Sequence, residues 1–274
     1  MAVFSPSNLN EALTILREPE LMVVAGGTDY FPALKQRKKH HKILNLFNVR
    51  EMNKVTSESG GLRIGASVTW SEIIKLQLPA AFNALKAAAR QVGSIQIQNA
   101  ATLVGNLCNA SPAADGIPPL LILDAEIEMQ SAERGKRQIP LCEFLQGIRS
   151  TARRKDELVT SIYVPRPPTD LISSFSKLGS RSHLVISVCM TATGLVLDNN
   201  NCIRDLRVAV GACSPVAQRL HTLEREVLGS HRDTVSIMMH HLSPLSPIDD
   251  FRGTAAFRLE AVREQIHRLL SLRD

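Results

Sequence analysis

The chain has 274 residues, 44% hydrophobic and 21% charged, a composition that buries a sizeable core and excludes a disordered or collagen-like polypeptide. Its 32 Lys+Arg against 26 Asp+Glu leave a net charge of +6, which favours phosphates or an acidic partner without specifying either. With 4% aromatics and one Trp a base-stacking platform for nucleic acid is poorly supplied, and no apolar run reaches the ~18 residues of a membrane-spanning helix.

The opening MAVFSPSNLNEAL has neither the basic stretch nor the apolar core of a signal peptide, so a cytoplasmic protein is expected. Residues 8–17 carry Leu9, Ala12, Leu13 and Leu16 at helical spacing behind Ser7 as N-cap. Residues 21–24 read as a buried strand broken by Gly26-Gly27, a helix starts over 29–35, and a second strand covers 43–47. Strand, glycine turn, helix and strand make an α/β pattern with parallel strands. After Gly60-Gly61, residues 62–68 alternate as a strand, 71–76 form a short helix with Ser71 near its cap, and 80–92 form a longer one. The Ala87-Ala88-Ala89 run of that helix allows a neighbour to pack closely.

Residues 99–119 are rich in small side chains and low in charge, unlike an ordinary solvated loop. A helix at 120–123 and strands at 126–130 and 158–164 follow, around a turn at 133–136. Pro165-Arg166-Pro167-Pro168 continues neither helix nor sheet and marks a domain boundary. Beyond it, strands at 185–193, 193–197 and 206–210, a hairpin turn at Asn199-Asn200-Asn201, and helices over 217–228 and 255–272 predict an α+β domain.

Cys108, Cys142, Cys189, Cys202 and Cys213 form no CxxC pair and no iron–sulfur spacing, which suits reduced thiols in a reducing compartment. Neighbouring histidines point apart on a helix or strand, so His40/His41 and His240/His241 are poor chelating pairs and no metal ligand is assigned. Zinc-protease, serine-hydrolase and P-loop motifs are missing, and Asn109-Ala110-Ser111 fits a glycosylation sequon only by accident.

Two glycine-rich segments carry the functional signal. In Val23-Val24-Ala25-Gly26-Gly27-Thr28-Asp29 two glycines follow an apolar strand, where bare N–H groups turn towards a phosphate and Thr28 adds a hydroxyl. It lacks the third glycine of a dinucleotide fingerprint, and a plain strand-to-helix turn is the alternative. The second segment, 102–115, combines hydroxyl, glycine, amide and carboxylate groups with scarcely any charge, suited to a large, mostly apolar cofactor with polar handles. Taken alone, Asp115 is equally an N-terminal cap for a helix opened by Pro118-Pro119, and Lys177 is a solvated surface lysine.

Together these segments resemble the FAD-binding (medium) subunit of the molybdenum hydroxylases, the xanthine dehydrogenase and carbon monoxide dehydrogenase flavoprotein group. The resemblance rests on Ala25-Gly26-Gly27-Thr28-Asp29, on Gln96-Ile97-Gln98-Asn99 leading into Ala101-Thr102-Leu103-Val104-Gly105-Asn106, and on Asn109-Ala110-Ser111-Pro112-Ala113-Ala114-Asp115. It extends through residues 156–165, Phe175-Ser176-Lys177-Leu178-Gly179-Ser180-Arg181 and Asp250-Phe251-Arg252-Gly253-Thr254, in family order along nearly the whole chain.

The resemblance implies an α+β chain with a vanillyl-alcohol-oxidase-like, PCMH-type FAD-binding domain at 1–165, made of two α/β subdomains at about 1–55 and 56–165. A C-terminal α+β domain of the CO dehydrogenase flavoprotein kind is implied at 172–274. By matching position, Val23, Val24, Ala25, Gly26, Gly27, Thr28, Asp29 and Tyr30 with Thr102, Leu103, Val104, Gly105 and Asn106 contact FAD, chiefly its phosphates and ribityl chain. Asp115, Val159 and Lys177 are further contacts. The chemistry agrees: N–H groups and hydroxyls suit a pyrophosphate, a carboxylate suits sugar hydroxyls, and a lysine adds positive charge.

The function implied is an oxidoreductase subunit that carries electrons and has no catalytic side chain of its own. A molybdenum-binding large subunit and a small subunit with 2Fe-2S clusters are the expected partners, with NAD or another acceptor receiving the electrons. A stand-alone FAD-dependent oxidase of the same fold is the alternative, and a basic nucleic-acid-binding protein, suggested by Lys35-Gln36-Arg37-Lys38-Lys39-His40-His41-Lys42, is the alternative of another class. One position departs from the family: Val104 stands where a first glycine is usual. If the backbone there took a positive φ, a β-branched residue would be strained; otherwise the position never needed glycine.

Overall fold

Three short strands line up in parallel, in the order Val3–Phe4, Lys42–Asn45, Leu21–Val24, in a computed structural model that describes residues 2–34, 42–181 and 184–271. The chain divides into two units, one made of Met1–Lys75, Ile95–Ala110 and Ala125–Arg166, the other of Leu76–Ser94, Ser111–Asp124 and Pro167–Asp274.

The first unit holds the parallel sheet and a five-stranded antiparallel sheet ordered Val55–Glu58, Gly61–Gly65, Leu158–Pro165, Glu126–Ser131, Gly135–Pro140. Alternation sets the sheet's faces: Ile127 and Met129 are buried while Glu126, Glu128 and Gln130 between them are not. The expected N-terminal helix forms as Leu9–Ile15, but Asn8 and not Ser7 caps it, because Asn8 Oδ1 takes the Glu11 N–H at 3.0 Å. Likewise the helix Trp70–Lys75 is capped by Thr69, whose Oγ1 accepts from Glu72 N–H while Glu72 Oε2 accepts from Thr69 N–H at 2.7 Å, and Ser71 lies inside it.

Residues 99–119 hold far more helix than their small-residue composition suggests. Ile95–Ala100 and Leu103–Asn109 are helical, the latter burying Leu103, Val104 and Leu107 along one side, and Ile117–Ile122 is helical in the second unit. Apolar residues are sparse in this stretch, but at i, i+1 and i+4 they suffice to seat one turn and a half.

The second unit is built on a four-stranded antiparallel sheet ordered Ile172–Leu178, Cys189–Leu197, Ile203–Gly211, Gln218–Arg219. Val208, Val210, Leu220, Leu223, Val262, Ile266 and Leu270 join in its core, the last three from the helix Ala255–Ser271. The strand Ile172–Leu178 carries three serines, which hide its pattern; Ser173 is buried because its Oγ accepts the Ala84 N–H at 2.8 Å. The two strands expected at 185–197 are one, Cys189–Leu197, paired continuously through Gly194. Of 217–228 only His221–Glu226 is helical, since Gln218 and Arg219 pair with Val210 and Ala209 at the sheet edge. No helix among the described residues is long and apolar enough to cross a membrane.

Candidate cofactor site

Gly26 joins the two glycine-rich segments in space. A Cβ placed on it would lie 1.8 Å from the Ala100 carbonyl oxygen and 2.9 Å from Ala101 Cα, so the main chains touch where any side chain would stand. Gly27 follows with φ +71 and turns the chain into the short helix Tyr30–Ala33, whose Phe31 N–H reaches the Gly27 carbonyl at 3.0 Å. Val23 and Val24 belong to the parallel strand, and Val24 and Tyr30 pack with Ile43 in a small apolar cluster that anchors both ends of the loop. Among the described residues, the N–H groups of Gly26, Gly27 and Thr28 meet no protein acceptor. Three adjacent main-chain donors at a turn that is not fully buried make an anion seat, so the donor set fits a pyrophosphate.

The second segment is occupied differently. Thr102 is the N-cap of Leu103–Asn109: its Oγ1 accepts the Gly105 N–H at 3.0 Å and its carbonyl the Asn106 N–H at 3.1 Å. Leu103 N–H bonds to the Val68 carbonyl at 3.2 Å. Like those of Gly26, Gly27 and Thr28, the N–H groups of Thr102 and Val104 meet no acceptor among the described residues, and Thr102 keeps its hydroxyl proton for another acceptor. Val104 resolves the departure from the family pattern. It is a buried residue inside the helix, 4% exposed, and it is not among the positive-φ residues. The position needed no glycine here.

Asp115 does not cap the helix Ile117–Ile122, where Gly116 stands at the cap without a side-chain bond. It binds Lys177 Nζ at 2.8 Å through one oxygen and the Ser187 hydroxyl at 3.0 Å through the other. Lys177 is no solvated lysine: its side chain is 6% exposed and also reaches the Gln91 carbonyl at 3.4 Å. Burial pushes the Asp115 carboxyl above the usual carboxylate range against the pull of Lys177. Val159, in the first unit, is buried at an irregularity between Val159 and Ser161 in the pairing of its strand with Glu126–Ser131.

His240 and His241 do not diverge as neighbours usually do. The tight turn Met239–Leu242 brings both Nε2 atoms to 2.8 Å from Glu226 Oε2, with ring centroids 4.1 Å apart. The three ligand atoms lie within 4.8 Å of one another. Met238 N–H donates to His241 Nδ1 at 2.9 Å, which puts the His241 proton on Nε2, facing Glu226. A metal ion there would take that nitrogen's lone pair and leave the Met238 N–H opposed by a second proton. All five cysteines are free, Cys189 and Cys213 buried and Cys108 and Cys142 exposed. The basic run at 35–42 lies outside the described residues except for Lys42, which pairs with Glu18 at 2.7 Å.

Residues 1–167 match the family model described as the FAD binding domain in molybdopterin dehydrogenase, and residues 174–272 the CO dehydrogenase flavoprotein C-terminal domain. The chain is 29% identical over 273 residues to the xanthine dehydrogenase FAD-binding subunit of Escherichia coli O157:H7, covering 97% of this chain and 93% of that one. It is 34% identical over 193 residues to the nicotinate dehydrogenase FAD-subunit of Eubacterium barkeri, covering 68% and 65%. Among solved structures, a chain of the reconstituted CO dehydrogenase from Oligotropha carboxidovorans superposes with a TM-score of 0.89 at 20% identity, over 98% of this chain and 96% of that one, a likeness of fold.

Proposed function

Because the chain belongs to the family of FAD-binding subunits of molybdopterin dehydrogenases, we propose that it receives electrons from iron–sulfur clusters on a small partner subunit, in an assembly whose large subunit carries the molybdenum cofactor. As an oxidoreductase flavoprotein it needs FAD, and the chemistry FAD supplies when bound is electron storage and transfer, with NAD or another acceptor receiving the electrons. A cytoplasmic site of action accords with five free thiols.

The observation that carries the cofactor assignment is the row of open N–H groups at Gly26, Gly27 and Thr28 beside the Thr102 cap. Hydrogen bonds to a charged group contribute about 1.5–3 kcal/mol each, so three such donors hold a pyrophosphate without a single cationic side chain. Val23 to Tyr30 shape that seat, Thr102 offers its hydroxyl, and Leu103, Val104, Gly105 and Asn106 carry the helix behind it. Asp115, Val159 and Lys177 are proposed contacts on the family resemblance, as are the domain limits 1–165 and 172–274. No side chain is assigned an acid–base step. Because relatives named for xanthine and for nicotinate share this kind of subunit, the oxidised substrate is read by the large subunit.

Two measurements test this. The purified full chain is titrated with FAD, FMN and NAD, following flavin fluorescence; tight binding of FAD alone is expected, and a chain that stays colourless with excess FAD overturns the assignment. Affinity purification from the native cell with metal analysis is expected to bring down molybdenum- and iron-containing chains, whereas FAD-dependent substrate oxidation by the isolated chain favours the stand-alone oxidase.

A further inference from the structure

The loop that offers Gly26, Gly27 and Thr28 N–H groups to an anion continues directly into an exposed carboxylate, Asp29. A free carboxylate beside a bound phosphate repels it, and the more so where water is excluded. Asp29 is not free. Its Oδ1 accepts a hydrogen bond from Asn109 Nδ2 at 2.9 Å, and Arg149 Nη1 donates to Asn109 Oδ1 and, at 3.3 Å, to the Asn109 carbonyl. A guanidinium thus polarises an amide that in turn holds the carboxylate, and all three residues belong to one unit.

The backbone is bent to make this possible. Arg149 lies at the tip of the hairpin Leu145–Gly147 and Ser150–Thr151 with φ +58, and its N–H donates to the Ala110 carbonyl at 2.9 Å. Ala110 ends the helix Leu103–Asn109 with φ +45. Two non-glycine residues in the left-handed region therefore meet at one hydrogen bond.

We propose that Arg149 is a positioning residue of the cofactor site. Acting through Asn109, it holds Asp29 off the anion seat and fixes the turn Gly26–Thr28 relative to the helix that Thr102 caps. The proposal rests on the reading of that turn as the FAD pyrophosphate seat.

The test is FAD affinity, by quenching of flavin fluorescence, alongside the melting temperature of the apo-chain, for wild type, R149Q, R149K, D29N and D29N/R149Q. Losing a charge-assisted bond and exposing the anion to Asp29 predicts FAD binding about 10-fold weaker or worse in R149Q, with R149K regaining most of it. In the D29N background the charge to be managed is gone, so R149Q is expected to change affinity little. If R149Q also lowers the apo melting temperature, the cycle decides: coupling between the two substitutions supports the positioning role, and additive losses overturn it. Wild type that binds FAD with R149Q binding equally well sinks the role of Arg149 alone. Wild type that binds no FAD removes the pyrophosphate reading underneath it.

Discussion

The turn Gly26-Gly27-Thr28 and the pair Asp115 with Lys177 both concentrate polar groups, and they treat them in opposite ways. In the turn three N–H groups meet no acceptor within the described protein, although main-chain donors are normally paired. In the pair both carboxylate oxygens and the ammonium are engaged, by one another, by Ser187 and by the Gln91 carbonyl. An open donor row gains free energy when an anion arrives. A closed ion pair loses heavily when one member is removed. The same polar density is therefore left open in the first region and closed on itself in the second.

Breaking each region separates the two. The largest effect is expected from G26A, because the new Cβ would stand 1.8 Å from a main-chain oxygen that no rotamer change can move. Unfolding in denaturant should show a loss above about 3 kcal/mol, and FAD titration no saturable binding. Next comes K177M, which strands the buried Asp115 carboxylate and should destabilise the apo-chain by about 3–5 kcal/mol, with K177M/D115N recovering most of that loss. Its pH dependence has a definite sign. Burial raises the Asp115 pKa in the folded chain even with Lys177 present, and more without it. A raised folded-state pKa contributes stability below the unfolded value that is lost as pH climbs through the folded one. K177M should therefore melt higher at mildly acid pH than at neutral pH, a trend that D115N abolishes.

How much of this could be read before the structure was known differs by element, for physical reasons. Leu21–Val24 followed by two glycines announces itself, since an apolar run and a residue pair without side chains are local signals. Ile172–Leu178 does not, because Ser173 is buried by a partner far along the chain, the Ala84 N–H, and its other two serines are half-buried. Alternation fails as a guide wherever a hydroxyl finds an acceptor or donor inside. The same holds within the site. Gly26, Gly27 and Thr102 are visible in the sequence, and the small residues Ala100 and Ala101 hint that a main chain comes close. Nothing local marks Arg149, whose role depends on a hairpin tip meeting the end of a helix, with positive φ on both sides of the contact.

Val104 gives a sharper test of the turn's primacy. If the helix Leu103–Asn109 is a support and not the seat, restoring the family's glycine should bring no gain in affinity. V104G removes a side chain that is 4% exposed and puts glycine in a helix, for a combined loss of about 2–3 kcal/mol in the apo-chain. FAD affinity measured well below the melting temperature should stay within about 3-fold of wild type, roughly 0.6 kcal/mol. A clear rise in affinity would mean that the valine holds the second segment away from the cofactor.

The smallest effect is expected at Thr102, and it discriminates best between the two segments. Its Oγ1 accepts the Gly105 N–H at 3.0 Å, so T102A leaves that donor without its cap and should destabilise the chain by about 1 kcal/mol, while T102S retains the bond and most of the stability. The alanine also removes a hydroxyl proton that the Thr102 cap leaves free for a phosphate oxygen. With Gly26, Gly27 and Thr28 still presenting their donors, that loss should weaken FAD by no more than one such bond, about 1.5–3 kcal/mol, and T102S should restore both together. A T102A chain that binds FAD more than about 200-fold weaker, beyond the ~3 kcal/mol that one charge-assisted bond accounts for, would move the principal anion seat from the turn to the helix it touches.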